Sequence, residues 1–264
     1  MAVSPADRHD AMPAEPNGTG LLLLAGSSGR VEAERAEMLA REGVRTRAIR
    51  WFGGEGQRSA PHEVPIELFL DELDALRAEC DRVAILGTSF GAEAALLTAA
   101  VTDAPLHAVI AIAPSAVVWA GAHEASWSSH WTLGGEPVPC TPFDPDWTAT
   151  DDPPAFRDLY LASLGGGPPE AVIPVERIAG RVLLIVGGDD QVWPSDVFAR
   201  MIADRRELAG LATEIVSAPG AGHRLLLPGE TPAEGGVRMQ RGGTPEADAE
   251  LGALAWPRIL HALR

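Results

Sequence analysis

The chain of 264 residues contains no lysine: all 21 basic side chains are arginine, against 37 acidic ones, for a net charge of −16. A surface this acidic repels phosphate backbones and argues against nucleic acid as a partner. It also disfavours an anionic substrate, unless arginines gather at the mouth of a site. Cysteine is scarce too. Cys80 and Cys140 share no metal-type spacing, and are expected to be reduced packing residues of a cytoplasmic protein. No apolar run reaches membrane-span length, so no membrane partner is expected; Leu21 to Ala25 is only strand-sized. The N-terminus lacks a basic segment followed by an apolar stretch, so no secretory signal is expected. What remains is an ordinary globular composition, 46% hydrophobic and 22% charged, long enough for one large domain.

Residues 1–18 are rich in Pro, Ala, Asp and Asn without periodicity, and are expected to form a mobile tail. Residues 19–264 then alternate. Strands are expected at Leu21 to Ala25, Arg45 to Phe52, Arg82 to Leu86, Ala108 to Ala113, Val182 to Val186 and Glu214 to Val216. Helices are expected at Glu32 to Glu42, Ile66 to Glu79, Ser195 to Leu208 and about Ala247 to Leu263. Such alternation predicts an α/β fold with a mostly parallel sheet and helices on both faces. Six parallel strands are expected, without antiparallel strands at the start. One stretch breaks the pattern. Between Trp119 and Pro174 the chain is Pro- and Gly-rich, with short helical pieces expected. It holds four of the seven tryptophans, Trp119, Trp127, Trp131 and Trp147. An insertion of this length reads as a cap whose tryptophans line an acyl pocket, or as a surface excursion packing on the core.

The most informative segment is Gly87-Thr88-Ser89-Phe90-Gly91, between the strand at Arg82 to Leu86 and an alanine-rich helical stretch from Ala92. A G-x-S-x-G in that setting is the nucleophile elbow of α/β-hydrolases, and Ser89 is the expected nucleophile. A serine hydroxyl needs a base, and the base an orienting acid, in the chain order Ser, Asp or Glu, His. The strand Val182 to Val186 runs into Gly187-Gly188-Asp189-Asp190, and the last strand is followed by Pro219-Gly220-Ala221-Gly222-His223. His223 is thus the expected base and Asp190 the acid, with Asp189 as competitor or turn cap. All lie at C-terminal strand ends, where open α/β sheets place their sites. The oxyanion donors expected are the amide of Phe90 and one from the turn Ala25-Gly26-Ser27-Ser28-Gly29, with Ser27 preferred to Ser28. His123 and His130, inside the insertion, read as surface or pocket-rim groups. No metal or organic cofactor is expected.

These residues carry a resemblance. From about Gly20 onward the chain resembles the catalytic C-terminal domain of the acyl-CoA thioester hydrolase and bile acid-CoA:amino acid N-acyltransferase family. The most specific stretches are Gly87 to Glu93, Ile173 to Ile178, Val186 to Ser195, Gly220 to His223 and Gly242 to Pro245, the last leading into a helix with Trp256. The resemblance implies an α/β-hydrolase fold and a serine-dependent hydrolase of acyl thioesters, acting on a small-molecule substrate through Ser89, Asp190 and His223. Its transferase members tend to carry cysteine where this chain has Ser89. Acyl transfer to an amine or alcohol, carboxylic ester hydrolysis, and a non-catalytic binding role are the alternatives. Two departures stand out. The β-sandwich domain of animal members is not found in these residues, and the 119–174 insertion matches the family only in position.

Overall fold

Strand β2 (Thr19–Leu24) explains the layering. Leu21, Leu22, Leu23 and Leu24 are all fully buried, so both faces of this strand are covered. Alternate residues serve two cores, Leu22 and Leu24 on one side and Leu21 and Leu23 on the other. The computed structural model describes residues 3–124, 126–231 and 237–264.

In chain order the elements are β1 (Arg8–Ala11), β2, α1 (Ala33–Arg41), β3 (Arg45–Ile49), β4 (Val64–Pro65), α2 (Glu67–Arg77), β5 (Arg82–Thr88) and α3 (Phe90–Val101). There follow β6 (Ala108–Ile112), β7 (Ala120–His123), β8 (Ser126–Ser129), β9 (Trp131–Leu133), β10 (Glu136–Pro137) and α4 (Arg157–Ser163). The chain closes with β11 (Arg181–Gly187), α5 (Ser195–Leu208), β12 (Glu214–Ala218) and α6 (Pro245–Ala262). Among the described residues the central sheet has seven strands in the order β1-β3-β2-β5-β6-β11-β12, parallel except for β1. Helices α2, α3 and α5 cover one face, and α1 and α6 the other. This is the α/β-hydrolase architecture. No helix of the described residues is long and apolar enough to cross a membrane.

The expected strands are all present, but the tail reading is corrected. Arg8–Ala11 is an edge strand, antiparallel to β3, so the sheet gains a seventh member. Its side chains are mostly polar, which hides it from an apolar pattern. Charge pairing stands in for apolar burial: Arg47 donates to Asp10 at 2.6 Å and to Glu72 at 3.0 Å. Upstream, the buried Asp7 accepts from Ser4 at 2.8 Å and lies 3.5 Å from Arg50.

The insertion between β6 and β11 is also more strand-like than expected. It holds a β7–β8 hairpin and β9 and β10, which join β4 in a small sheet. Its helical content among the described residues is α4 and two short 3₁₀ turns. These strands are two to four residues long, too short to leave a periodic signature.

Candidate active site

Ser89 ends the turn from β5 into α3 with φ 57° and ψ −122°, a backbone geometry that a side-chain-bearing residue adopts at a cost. The flanking glycines follow from close packing. A Cβ on Gly87 would overlap the carbonyl oxygen of Gly91, and one on Gly91 would overlap that of Ala25. The Ser89 amide donates to Ile112 at 2.9 Å, which fixes the elbow to β6. The hydroxyl is thereby held over the C-terminal end of the sheet, and Ser89 is only 7% exposed.

His223 arrives from the loop after β12, and its amide donates to the Arg241 carbonyl at 2.8 Å. Its Nδ1 lies 2.8 Å from Asp190 Oδ2 and its Nε2 lies 3.0 Å from Ser89 Oγ. A carboxylate only accepts, so Nδ1 carries the proton and Nε2 presents a lone pair to the serine hydroxyl. Asp190 is fully buried and fully engaged. Oδ1 accepts from the amides of Val192 and Trp193 at 2.9 and 3.3 Å, and Oδ2 also accepts from the Ser195 hydroxyl at 2.7 Å. Four donors hold one carboxylate in a single orientation. Asp189 faces elsewhere: it accepts from the Gly243 amide at 2.8 Å and from Gln191 at 2.7 Å. The residue competing for the acid position is a loop tie.

The turn after β2 rests against the serine, since a Cβ on Gly26 would stand 3.0 Å from Ser89 Cβ. Ser27 lies exposed in this turn and Phe90 opens α3. The tryptophans of the insertion divide among separate clusters. Trp119 and Trp131 are fully buried. Trp119 stacks on Phe143 at 5.4 Å, whose ring also meets Trp127 at 5.7 Å; Trp127 is itself 63% exposed. Trp131 packs on Trp51 at 5.1 Å, and Trp147 on Phe156 at 5.9 Å. The four do not form one wall. The tryptophan nearest the site is instead Trp193, 6.0 Å from His223 and 5.6 Å from Phe90. Its place in the loop just after Asp190 was the available sequence signal.

A second arrangement sits behind the elbow. Glu93, one helical turn after Ser89, is completely buried and its Oε1 accepts from Trp131 Nε1 at 2.7 Å, His130 Nδ1 at 3.1 Å and the Trp119 amide at 3.3 Å. Expected as a surface or pocket-rim group, His130 is instead buried behind the elbow. It is 2% exposed, with its ring 4.3 Å from that of Phe90. His123 stays near the surface, within 3.4 Å of the Ser59 hydroxyl. Burial, with the charges of Glu93 and Asp190, pushes the Tyr160 phenol far above its ordinary value, so it is neutral. Burial also raises the Asp248 carboxyl, although the Gly222 amide donates to it at 2.7 Å. Cys80 and Cys140 are free thiols, each pushed up chiefly by burial. Among the described residues, no group of three or more His, Cys, Asp or Glu side chains could hold a metal.

Comparison with known proteins adds to this geometry. The family described as BAAT / Acyl-CoA thioester hydrolase C terminal matches residues 67–264, a span that includes Ser89, Asp190 and His223. Mouse acyl-coenzyme A thioesterase 6 is 26% identical over 258 residues, covering 94% of this chain and 59% of the relative. Mouse bile acid-CoA:amino acid N-acyltransferase is 26% identical over 234 residues, covering 86% and 53%. The chain thus spans little more than half the length of these relatives. A solved Klebsiella pneumoniae structure, provisionally assigned as a dienelactone hydrolase, superposes with a TM-score of 0.55 at 14% identity, over 97% of each chain. That likeness speaks to the fold alone.

Proposed function

The chain belongs to the BAAT / acyl-CoA thioester hydrolase C-terminal family, and on that premise we propose that it is a serine-dependent hydrolase of acyl thioesters. The observation that carries this reading is the hydrogen-bonded line from Ser89 Oγ through His223 to the buried Asp190. Ser89 Oγ attacks the thioester carbonyl while His223 Nε2 takes its proton. Asp190 holds the ring in the tautomer that leaves Nε2 free and stabilises the imidazolium that forms. The oxyanion is met by the Phe90 and Ser27 amides. As the tetrahedral intermediate collapses, His223 returns its proton to the departing sulfur, leaving an acyl-Ser89 ester. Water, deprotonated by the same imidazole, then attacks that ester; the carboxylic acid leaves and Ser89 regains its proton.

Transfer to an amine or alcohol is the second reading, supported by a relative that is an amino acid N-acyltransferase. It differs only in the deacylating nucleophile. Both share the serine step, and carboxylic ester hydrolysis would use the same groups. The test joins two measurements. Ser89→Ala should abolish both acyl-thioester turnover and labelling by a fluorophosphonate; retained turnover refutes the mechanism. With the wild-type protein, free acid should dominate in the presence of candidate amines, and an excess of acyl conjugate would establish transfer.

A further inference from the structure

Asp190 fixes how the His223 ring is turned, but not where the ring stands. That is set by the backbone of a loop to which the sheet gives little support. Among the described residues β12 is an edge strand, with only Ala218 of its residues buried, and no further strand lies beyond the loop that leaves it. Helix α6 takes that place. The Gly222 amide, immediately before His223, donates to Asp248 Oδ1 at 2.7 Å, and the Leu226 amide to the Asp248 carbonyl at 3.4 Å. A Cβ on Gly252 would overlap the Leu226 carbonyl oxygen, so helix and loop pack without a gap.

An acid in the first turn of a helix ordinarily serves the helix dipole and faces water. Asp248 does not. The cap of α6 is Thr244, whose hydroxyl accepts from the Ala247 amide at 3.2 Å, and the Asp248 side chain turns toward the loop instead. The chain just before α6 is shaped around the same hydrogen bond. Gly243 has a left-handed backbone, with φ 70°. A Cβ there would overlap the Gly222 nitrogen and stand 2.7 Å from Asp248 Oδ1, in the path of the bond itself. Slightly upstream, the Arg241 carbonyl receives the His223 amide at 2.8 Å. Two consecutive peptide N–H groups at the base are thus anchored from outside the loop, one by backbone and one by a side chain.

We propose that Asp248 is a positioning residue for the reaction: by accepting the Gly222 amide it holds the His223 imidazole where Nε2 reaches Ser89. This rests on the reading of His223 as the base. Gly222 is buried, so loss of its acceptor leaves a peptide N–H without a partner away from water, and the loop must shift to satisfy it. Little slack is available. Nε2 lies 3.0 Å from Ser89 Oγ, and proton transfer needs a separation of about 3.2 Å or less, so a small backbone shift breaks the contact. Asp248 acts through the peptide, not on the reacting atoms.

Two replacements separate this role from a purely structural one, because Asn keeps an oxygen at the Oδ1 position and Ala does not. In Asp248→Ala, the rate of Ser89 labelling by a fluorophosphonate and kcat for an acyl-N-acetylcysteamine thioester should both fall about 10-fold or more, with KM unchanged within about 2-fold. Asp248→Asn should return both rates to within about 3-fold of wild type. Should Asp248→Ala not fold, Asp248→Ser takes its place, since a serine hydroxyl stops one atom short of the Oδ1 position. Wild-type rates in the Ala or Ser variant overturn the proposal, even where Tm falls, and so does an Asn variant as slow as the Ala one. Labelling needs Ser89 and its base but no particular substrate. A wild-type protein that is labelled, with the variants in the expected rank order, but turns over no thioester would uphold the positioning role and refute the thioester reading alone.

Discussion

Replacing Asp190 by Asn probes the site most sharply, because the surroundings allow only two outcomes. If the amide oxygen takes the Oδ1 position, the Val192 and Trp193 amides keep their acceptor. The NH₂ group then faces His223 Nδ1 and the Ser195 hydroxyl, both of which now donate. The hydroxyl can rotate. The imidazole must move its proton to Nε2, where it meets Ser89 and can no longer accept one. In serine hydrolases that exchange lowers kcat by about 10⁴, or about 5.5 kcal/mol. If the amide turns over instead, its NH₂ faces two buried amides, at about 1–3 kcal/mol for each group left unpaired. The first outcome is a loss of rate with little loss of stability, and the second reverses the balance. The first should lower kcat/KM at 25 °C by about 10³-fold or more with an unchanged Tm, and the second should lower the Tm by several degrees. Asp189→Asn, on an exposed side chain, should change stability by no more than about 0.5 kcal/mol and leave the rate near wild type. The assay is release of free thiol from an acyl-N-acetylcysteamine substrate, with thermal unfolding recorded on the same samples. An Asp190→Asn protein retaining more than about a tenth of wild-type kcat/KM with an unchanged Tm, or an equal loss in Asp189→Asn, would refute the assignment of the acid.

Three further substitutions test the supporting structure. Gly87→Ala places a methyl group on the Gly91 carbonyl, and should lower stability by about 3 kcal/mol or more; an unchanged Tm would contradict the packing described at the elbow. Trp131→Phe removes the shortest donor to the buried Glu93, and should cost about 1–3 kcal/mol in denaturant unfolding; a neutral effect would show that the carboxylate does not depend on it. Hydrogen bonding from Arg205 holds the Glu176 carboxyl below its ordinary value, so the folded state gives up this proton more readily than the unfolded one. The stabilisation is fully present above the ordinary Glu value and lost as pH falls through the depressed one. At 40% and 31% exposure the pair contributes less than about 1 kcal/mol, and the gap between wild type and Arg205→Gln should close below about pH 4; a gap of equal size at pH 3 would contradict this sign.

What could be read from the sequence followed from burial. Strands such as Leu21–Leu24 and Val182–Val186 are covered on both faces, so their apolar runs are continuous and visible. Ser89 and Asp190 each follow such a strand, whereas His223 follows the half-exposed edge strand β12 and is found from the chain order Ser, Asp, His. Choosing between Asp189 and Asp190 needed side-chain direction, which no spacing encodes. Arg8–Ala11 was hidden because an edge strand anchored by ion pairs resembles an exposed polar segment. Glu93 was hidden for the opposite reason: a single carboxylate in an alanine-rich helix reads as a solvent-facing residue, whereas its acceptor role depends on Trp119, His130 and Trp131 from a distant segment.

That carboxylate bears on how the insertion could be exchanged. Glu93 belongs to the helix that begins at the elbow, yet all three of its donors belong to the insertion. The segment is wired into the scaffold through a fully buried carboxylate, so it is not a detachable module. A chimera carrying another protein's insertion would inherit a bare carboxylate one helical turn below Ser89, unless it brought equivalent donors or a neutral residue at position 93. Recombination of substrate preference is therefore better begun at the β7–β8 hairpin, where Trp127 projects into solvent and the hub is left untouched.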